Sequence, residues 1–142
     1  MKTNLERLSG LLKTAQLSQA GIRSVLDAIA QPQLRQALQS QLREYDSIEL
    51  EAHSIASRRG WDLPELDPAV RFLTDLNLRM KLTQGNSDSR IADLMIQRNT
   101  KDMIRGLKEL HSTHQQDQSI SSLSQRLLDC ETANIRQLQQ FL

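Results

Sequence analysis

Residues 60–87 read GWDLPELDPAVRFLTDLNLRMKLTQGNS, and their position between long amphipathic runs decides the fold. The stretch opens on Gly60, a natural helix stop, and loses apolar periodicity from Trp61 to Leu66. Asp67 followed by Pro68 is then a cap with a first-turn proline, predicting a short helix to about Leu82 and a break at Gln84, Gly85, Asn86 and Ser87. Such a connection is too long for a hairpin and suits a crossover along a bundle.

The flanking runs supply the bundle. Thr3 and Glu6 have capping-box spacing, and Leu5, Leu8, Leu12, Ala15, Gln19, Ile22, Leu26 and Ile29 predict a helix from about Asn4 to Ala30. Pro32 opens a second, with Leu34, Leu38, Gln41, Tyr45, Ile48, Ala52 and Ile55 as its stripe. The short link makes the two an antiparallel hairpin. A third long helix is expected from Asp88 to His111, along Ala92, Ile96, Asn99, Met103, Gly106 and Leu110. After the polar segment from Ser112 to Ser119, a fourth follows Ile120, Leu123, Leu127, Glu131, Asn134, Leu138 and Phe141. Heptad-like stripes favour packing near 20°, and the crossover gives an up-down-down-up four-helix bundle with a short fifth helix in the long connection. No repeat or linker divides the chain, so residues 1–142 are read as one domain.

Composition agrees. Among 142 residues, 24 Leu and 16 Gln stand beside only two Val, a balance that suits an all-α chain. Eighteen Lys and Arg against 17 Asp and Glu give a net charge of +1, which offers no bulk attraction for nucleic acid or an anionic membrane. Tyr45, Trp61, Phe72 and Phe141 are too few to build a base-stacking platform. Cys130 stands alone, excluding an internal disulfide, and no uncharged apolar run is long enough to cross a bilayer, so a cytoplasmic address is expected.

Polar residues interrupt each stripe at similar depth: Ser18 and Gln19, Tyr45, Asn99, and Glu131 with Asn134. Buried polar groups need partners, so one shared polar layer is expected, with an arginine such as Arg98 reaching Glu131. Here the chain resembles the ferritin-like superfamily, especially its small bacterial members of unassigned function, over residues 3–142. The resemblance implies a metal centre built from one Glu on each of two helices and a Glu-x-x-His motif on each of the other two. Carried onto this chain, Ser18 or Gln19 and Asn99 stand at the single-carboxylate positions and Tyr45 with Ile48 at one motif. Glu131-Thr132-Ala133-Asn134 stands at the other motif, with Asn in place of His. One strong ligand of six is retained, so the reading is a fold that has lost its metal chemistry, with no metal ligand or cofactor assigned.

The remaining candidates are ordinary. His111 and His114, with Glu109, sit where a helix ends and suit its dipole; His53 with Glu49 reads as a local pair. Cys130 has no basic neighbour in sequence, and there is no phosphate loop or nucleophilic triad, so no catalytic residue is assigned. Glu44, Asp46, Glu49 and Glu51 spread around one helix, and Arg98, Lys101, Arg105 and Lys108 form a basic stripe on another. In the crossover helix Phe72, Leu73, Leu76 and Met80 share one face and Leu78 and Leu82 the opposite one. The second face, with Trp61, Leu63 and Leu66, is expected to stay exposed as an interface to a protein partner or a second copy. The expected function is thus a non-enzymatic, metal-free, protein-binding or assembly module. Two alternatives are an iron or manganese oxidase or storage protein with a degenerate site near Glu131, and a small-molecule module in which Gln19, Tyr45, Asn99 and Asn134 line a cavity of about 300 Å³ or more between the helices instead of bonding to one another.

Overall fold

The computed structural model describes residues 2–112 and 117–142, and the described chain is all-α, without strands. Its helices are α1 (Asn4–Val25), α2 (Pro32–Arg58), α3 (Pro68–Thr83), α4 (Asp88–Ser112) and α5 (Gln118–Gln139).

Local chemistry sets their ends. At α1 the Thr3 hydroxyl accepts from the Glu6 amide at 3.1 Å, and the Glu6 carboxylate accepts from the Thr3 amide at 3.2 Å, completing a capping box. The helix stops at Val25, short of the expected Ala30, and passes through a 3-10 turn at Leu26–Ala28. Two forces shorten it: Pro32 holds Gln31 extended, and the Asp88 carboxylate accepts from the amides of Ala30 at 2.9 Å and Gln31 at 2.8 Å. At the end of α2, Gly60 takes φ +66°, which lets the Trp61 amide turn back to the Ala56 carbonyl at 2.9 Å. Asp117 accepts from the amides of Ser119 and Ile120, so α5 begins two residues ahead of Ile120.

Side-chain bonds fix how the helices run past one another. Gln16 and Gln19 donate to Glu49 and Asp46 at 2.8 and 3.0 Å, so α1 and α2 are antiparallel. Asp88 meets the end of α1, while Lys2 pairs with Glu109 at 3.2 Å, so α4 is antiparallel to α1. Arg59 pairs with Asp117 at 2.6 Å and Gln41 donates to Gln137 at 2.9 Å, so α5 is antiparallel to α2. Leu8, Leu12, Leu38, Ile48, Ile55, Ile91 and Leu138 are among the side chains that fill the core between them.

The helix α3 lies along α1, and its packing reverses the expected face. Leu78 is 1% exposed and Leu66 is buried, while Trp61, Leu63 and Leu82 pack partly buried against the core. Outside stand Phe72, Leu73, Leu76 and Met80, at 63, 60, 41 and 61% exposure. The anchor is polar. Asp75, on the same side of α3 as Leu78 and Leu82, accepts from the Ser24 hydroxyl at 2.6 Å and from Arg79, which turns that narrower apolar side toward α1. Trp61 is further covered by the Arg59 guanidinium, 5.1 Å from its ring centre.

Candidate functional site

Each polar position in the stripes is buried, but they form separate groups. Tyr45, on α2, donates its hydroxyl to Asn99 Oδ1 on α4 at 3.0 Å and accepts from Asn134 Nδ2 on α5 at 3.1 Å. Asn99 closes the chain by donating to the Met95 carbonyl at 3.0 Å. Three helices are thus tied at mid-depth by one satisfied chain, with Ser18 beside the phenol. Burial, reinforced by the nearby Cys130 and Glu131, raises the Tyr45 pKa far above its ordinary value, so the hydroxyl keeps its proton. Burial likewise pushes the Cys130 thiol up to about 12, leaving it un-ionised.

Gln19 stands outside this chain because its amide is taken by Asp46, and Ile48 is simply core. Arg98 does not serve Glu131 either. Its guanidinium donates to the Leu17 carbonyl at 3.1 Å and lies so close over Gly21 that a Cβ there would be 2.9 Å from Nε and Nη2. Glu49 accepts from Gln16, and no hydrogen bond joins it to His53 among the described residues. His111 is exposed at the end of α4; His114 lies outside the described residues.

Glu131 is only 2% exposed, and its Oε2 is buried without a hydrogen-bond partner. Burial, with a contribution from Asp102, pushes its carboxyl up to about 9 against the opposing pull of Arg105. The group is therefore protonated at neutral pH. Asp102 is itself raised by burial. Among the described residues no three His, Cys, Asp or Glu side chains converge as a metal-binding group.

Glu131 instead borders a cavity of about 450 Å³ in the seam between α1, α4 and α5. The sequence builds this seam by helical spacing: Gly10, Lys13, Thr14 and Leu17 come from α1, Asp102, Arg105, Gly106 and Glu109 from α4, and Ser124, Leu127, Leu128 and Glu131 from α5. Each set follows i, i+3, i+4, i+7, which stacks side chains on one face of a helix. The two glycines leave room: a Cβ at Gly10 would meet nothing within 4 Å, and one at Gly106 only Leu128 Cδ1 at 3.9 Å. Lys2, Arg7 and Leu11 complete the lining, so four cationic side chains stand with Asp102, Glu109 and the protonated Glu131 around a recess of mixed polar and apolar walls.

Tyr45, Asn99 and Asn134 do meet, as members of the expected layer that all break apolar stripes, whereas Gln19 and Glu131, expected in the same layer, do not join them. The cavity escaped sequence reading, although Gly10 and Gly106, each one helical turn or less from a basic residue on the same face, were the available signal. No described helix is long and apolar enough to cross a membrane. No protein-family model matches the chain, and no curated protein and no solved structure matches it.

Proposed function

We propose that the chain is a ferritin-like helical bundle in up-down-down-up order, without metal chemistry, that acts by associating with another protein and not by catalysis. The antiparallel relations of α1 to α2, α1 to α4 and α2 to α5 support the order. The amides and phenol at positions where the superfamily places carboxylates support the loss of metal chemistry, since Tyr45, Asn99 and Asn134 are occupied with one another.

The observation that carries the functional reading is the outward face of α3, where Phe72, Leu73, Leu76 and Met80 leave more than two fifths of each side chain exposed. The occupant proposed is a second copy of the chain. A single helix face is self-complementary about a two-fold axis, and antiparallel pairing sets Glu65 and Asp67 at one end of α3 against Arg79 and Lys81 at the partner's other end. Four side chains on a 16-residue helix fall short of the roughly 800 Å² per partner of a standard interface, so the pairing is expected to be concentration-dependent.

Sedimentation velocity over a concentration series tests this. The wild-type chain is expected to shift from monomer toward dimer, and Leu73→Glu, which changes only an exposed position, to remain monomeric with its melting temperature intact. A wild-type chain that stays monomeric, or a dimer untouched by Leu73→Glu, refutes the reading.

A further inference from the structure

We propose that the seam between α1, α4 and α5 is a binding site for a small organic anion with an apolar body, its carboxylate at the basic mouth and a carbonyl or hydroxyl oxygen facing Glu131.

Three independent features converge on it. The first is the floor. Glu131 is 98% buried by its 2% exposure, yet its Oε2 has no hydrogen-bond partner, although a buried polar atom of this kind ordinarily finds one. The carboxyl borders the cavity and, being protonated, can donate one hydrogen bond to an acceptor placed there. Oε2 itself is sealed from solvent, so an acceptor on the ligand would meet the carboxyl where it borders the cavity, through its other oxygen.

The second is the space. Glycine inside a helix costs roughly 1 kcal/mol relative to alanine, and neither Gly10 nor Gly106 is required by packing, since an added Cβ at either would meet no close neighbour. Their shared consequence is the cavity of about 450 Å³, within the range of small-molecule sites. Leu11, Leu17, Leu127 and Leu128 give it walls suited to an apolar body.

The third is charge. Lys2, Arg7, Lys13 and Arg105 stand against Asp102 and Glu109, an excess of two positive charges with Glu131 neutral. Lys2 already holds Glu109 at 3.2 Å and Arg105 lies 3.6 Å from Asp102, which limits how far either acid can serve a cationic ligand. An anion is therefore favoured over an amine of the same shape.

The probe is 4-acetylbenzoate, a flat apolar body with a carboxylate at one end and a carbonyl at the other. It is compared with 4-ethylbenzoate, which lacks the carbonyl, and 4-acetylbenzylamine, which reverses the charge. Amide shifts of Gly10 and Gly106 report on the seam, with Gly60 and Gly85 as remote controls in the same spectrum. The expected result is a saturable shift at Gly10 and Gly106 with a dissociation constant on the order of 1 mM, as suits a fragment of this size, and binding at least about tenfold weaker for both analogues. Gly10→Leu, which grows into open space, is expected to keep the fold and abolish the shift. Glu131→Leu is expected to erase the preference for acetyl over ethyl. No saturable shift at Gly10 and Gly106, equal binding of the amine, or binding unaffected by a folded Gly10→Leu would overturn the proposal.

Discussion

Two buried polar regions lie side by side in this bundle and differ in one respect: Tyr45, Asn99 and Asn134 satisfy one another, while Glu131, three residues before Asn134 on the same helix, leaves Oε2 open. The first region has the geometry of a structural tie. Each member bonds across a helix boundary or back to its own backbone, and the space beside Tyr45 and Asn99 is only about 10 Å³, too small for a guest there, while Asn134, whose amide is taken by the phenol, also borders a groove of about 560 Å³ between α2 and α5. The second has a buried carboxyl, one oxygen unpartnered, at the border of about 450 Å³ of space. Polar residues at equal depth in a bundle thus separate into fold-holding and ligand-facing groups by whether their partners are internal.

That comparison is sharpened first by pH. Glu131 has a folded pKa near 9 against an ordinary value of 4.5, so between these values the folded chain binds more protons than the unfolded one. Stability from this group is fully present below about pH 4.5 and is lost as pH rises toward 9, at up to about 1.4 kcal/mol per pH unit. Asp102, also raised by burial, contributes with the same sign. Glu131→Gln, which keeps the neutral shape, is expected to melt like wild type near pH 5 and increasingly above it toward pH 9. Thermal melts across that range check this, and parallel curves would remove the difference between the two regions.

A smaller effect is expected from the satisfied region. Tyr45→Phe removes the donor to the buried Asn99 Oδ1 and the oxygen acceptor of Asn134 Nδ2, leaving Asn99 only its bond to the Met95 carbonyl and Asn134 only its contact with the Cys130 sulfur, and should cost about 1–3 kcal/mol in denaturant unfolding, with no change in pH slope. A neutral outcome would mean that the chain of bonds is dispensable and the regions are less distinct than their geometry implies.

The smallest effect contrasts two glycines. Gly10→Ala adds a methyl to open space and should stabilise by about 0.5–1 kcal/mol, whereas Gly21→Ala must push the Arg98 guanidinium off its perch and gain less or lose stability. Paired melts decide it; equal gains would mean that Arg98 moves without penalty.

The same distinction explains what could be read from sequence. The helices and their order along the chain were legible because apolar spacing, the Thr3–Glu6 capping box and Pro68 are local signals. The end of α1 was not, since the Asp88 carboxylate that claims the amides of Ala30 and Gln31 lies nearly sixty residues away. In α3 periodicity revealed two apolar sides but not which one packs; the buried side carries Leu78 and the bond from Ser24 to Asp75, a partner fifty-one residues away in sequence. The convergence of Tyr45, Asn99 and Asn134 was readable as interrupted stripes. The isolation of Glu131 was not, because Arg98 turned to the Leu17 carbonyl, and the cavity depends on the rotational phase of three helices at once.

The most direct test is the titration of the Glu131 side-chain carboxyl carbon, followed by NMR in protein labelled with carbon-13 at glutamate and assigned by comparison with Glu131→Gln. A midpoint near 9 is the expected result. A midpoint at 4 to 5, the range of an ordinary glutamate, would mean that the carboxyl is solvated or paired, and would contradict the buried, unsatisfied Glu131 on which the distinction rests.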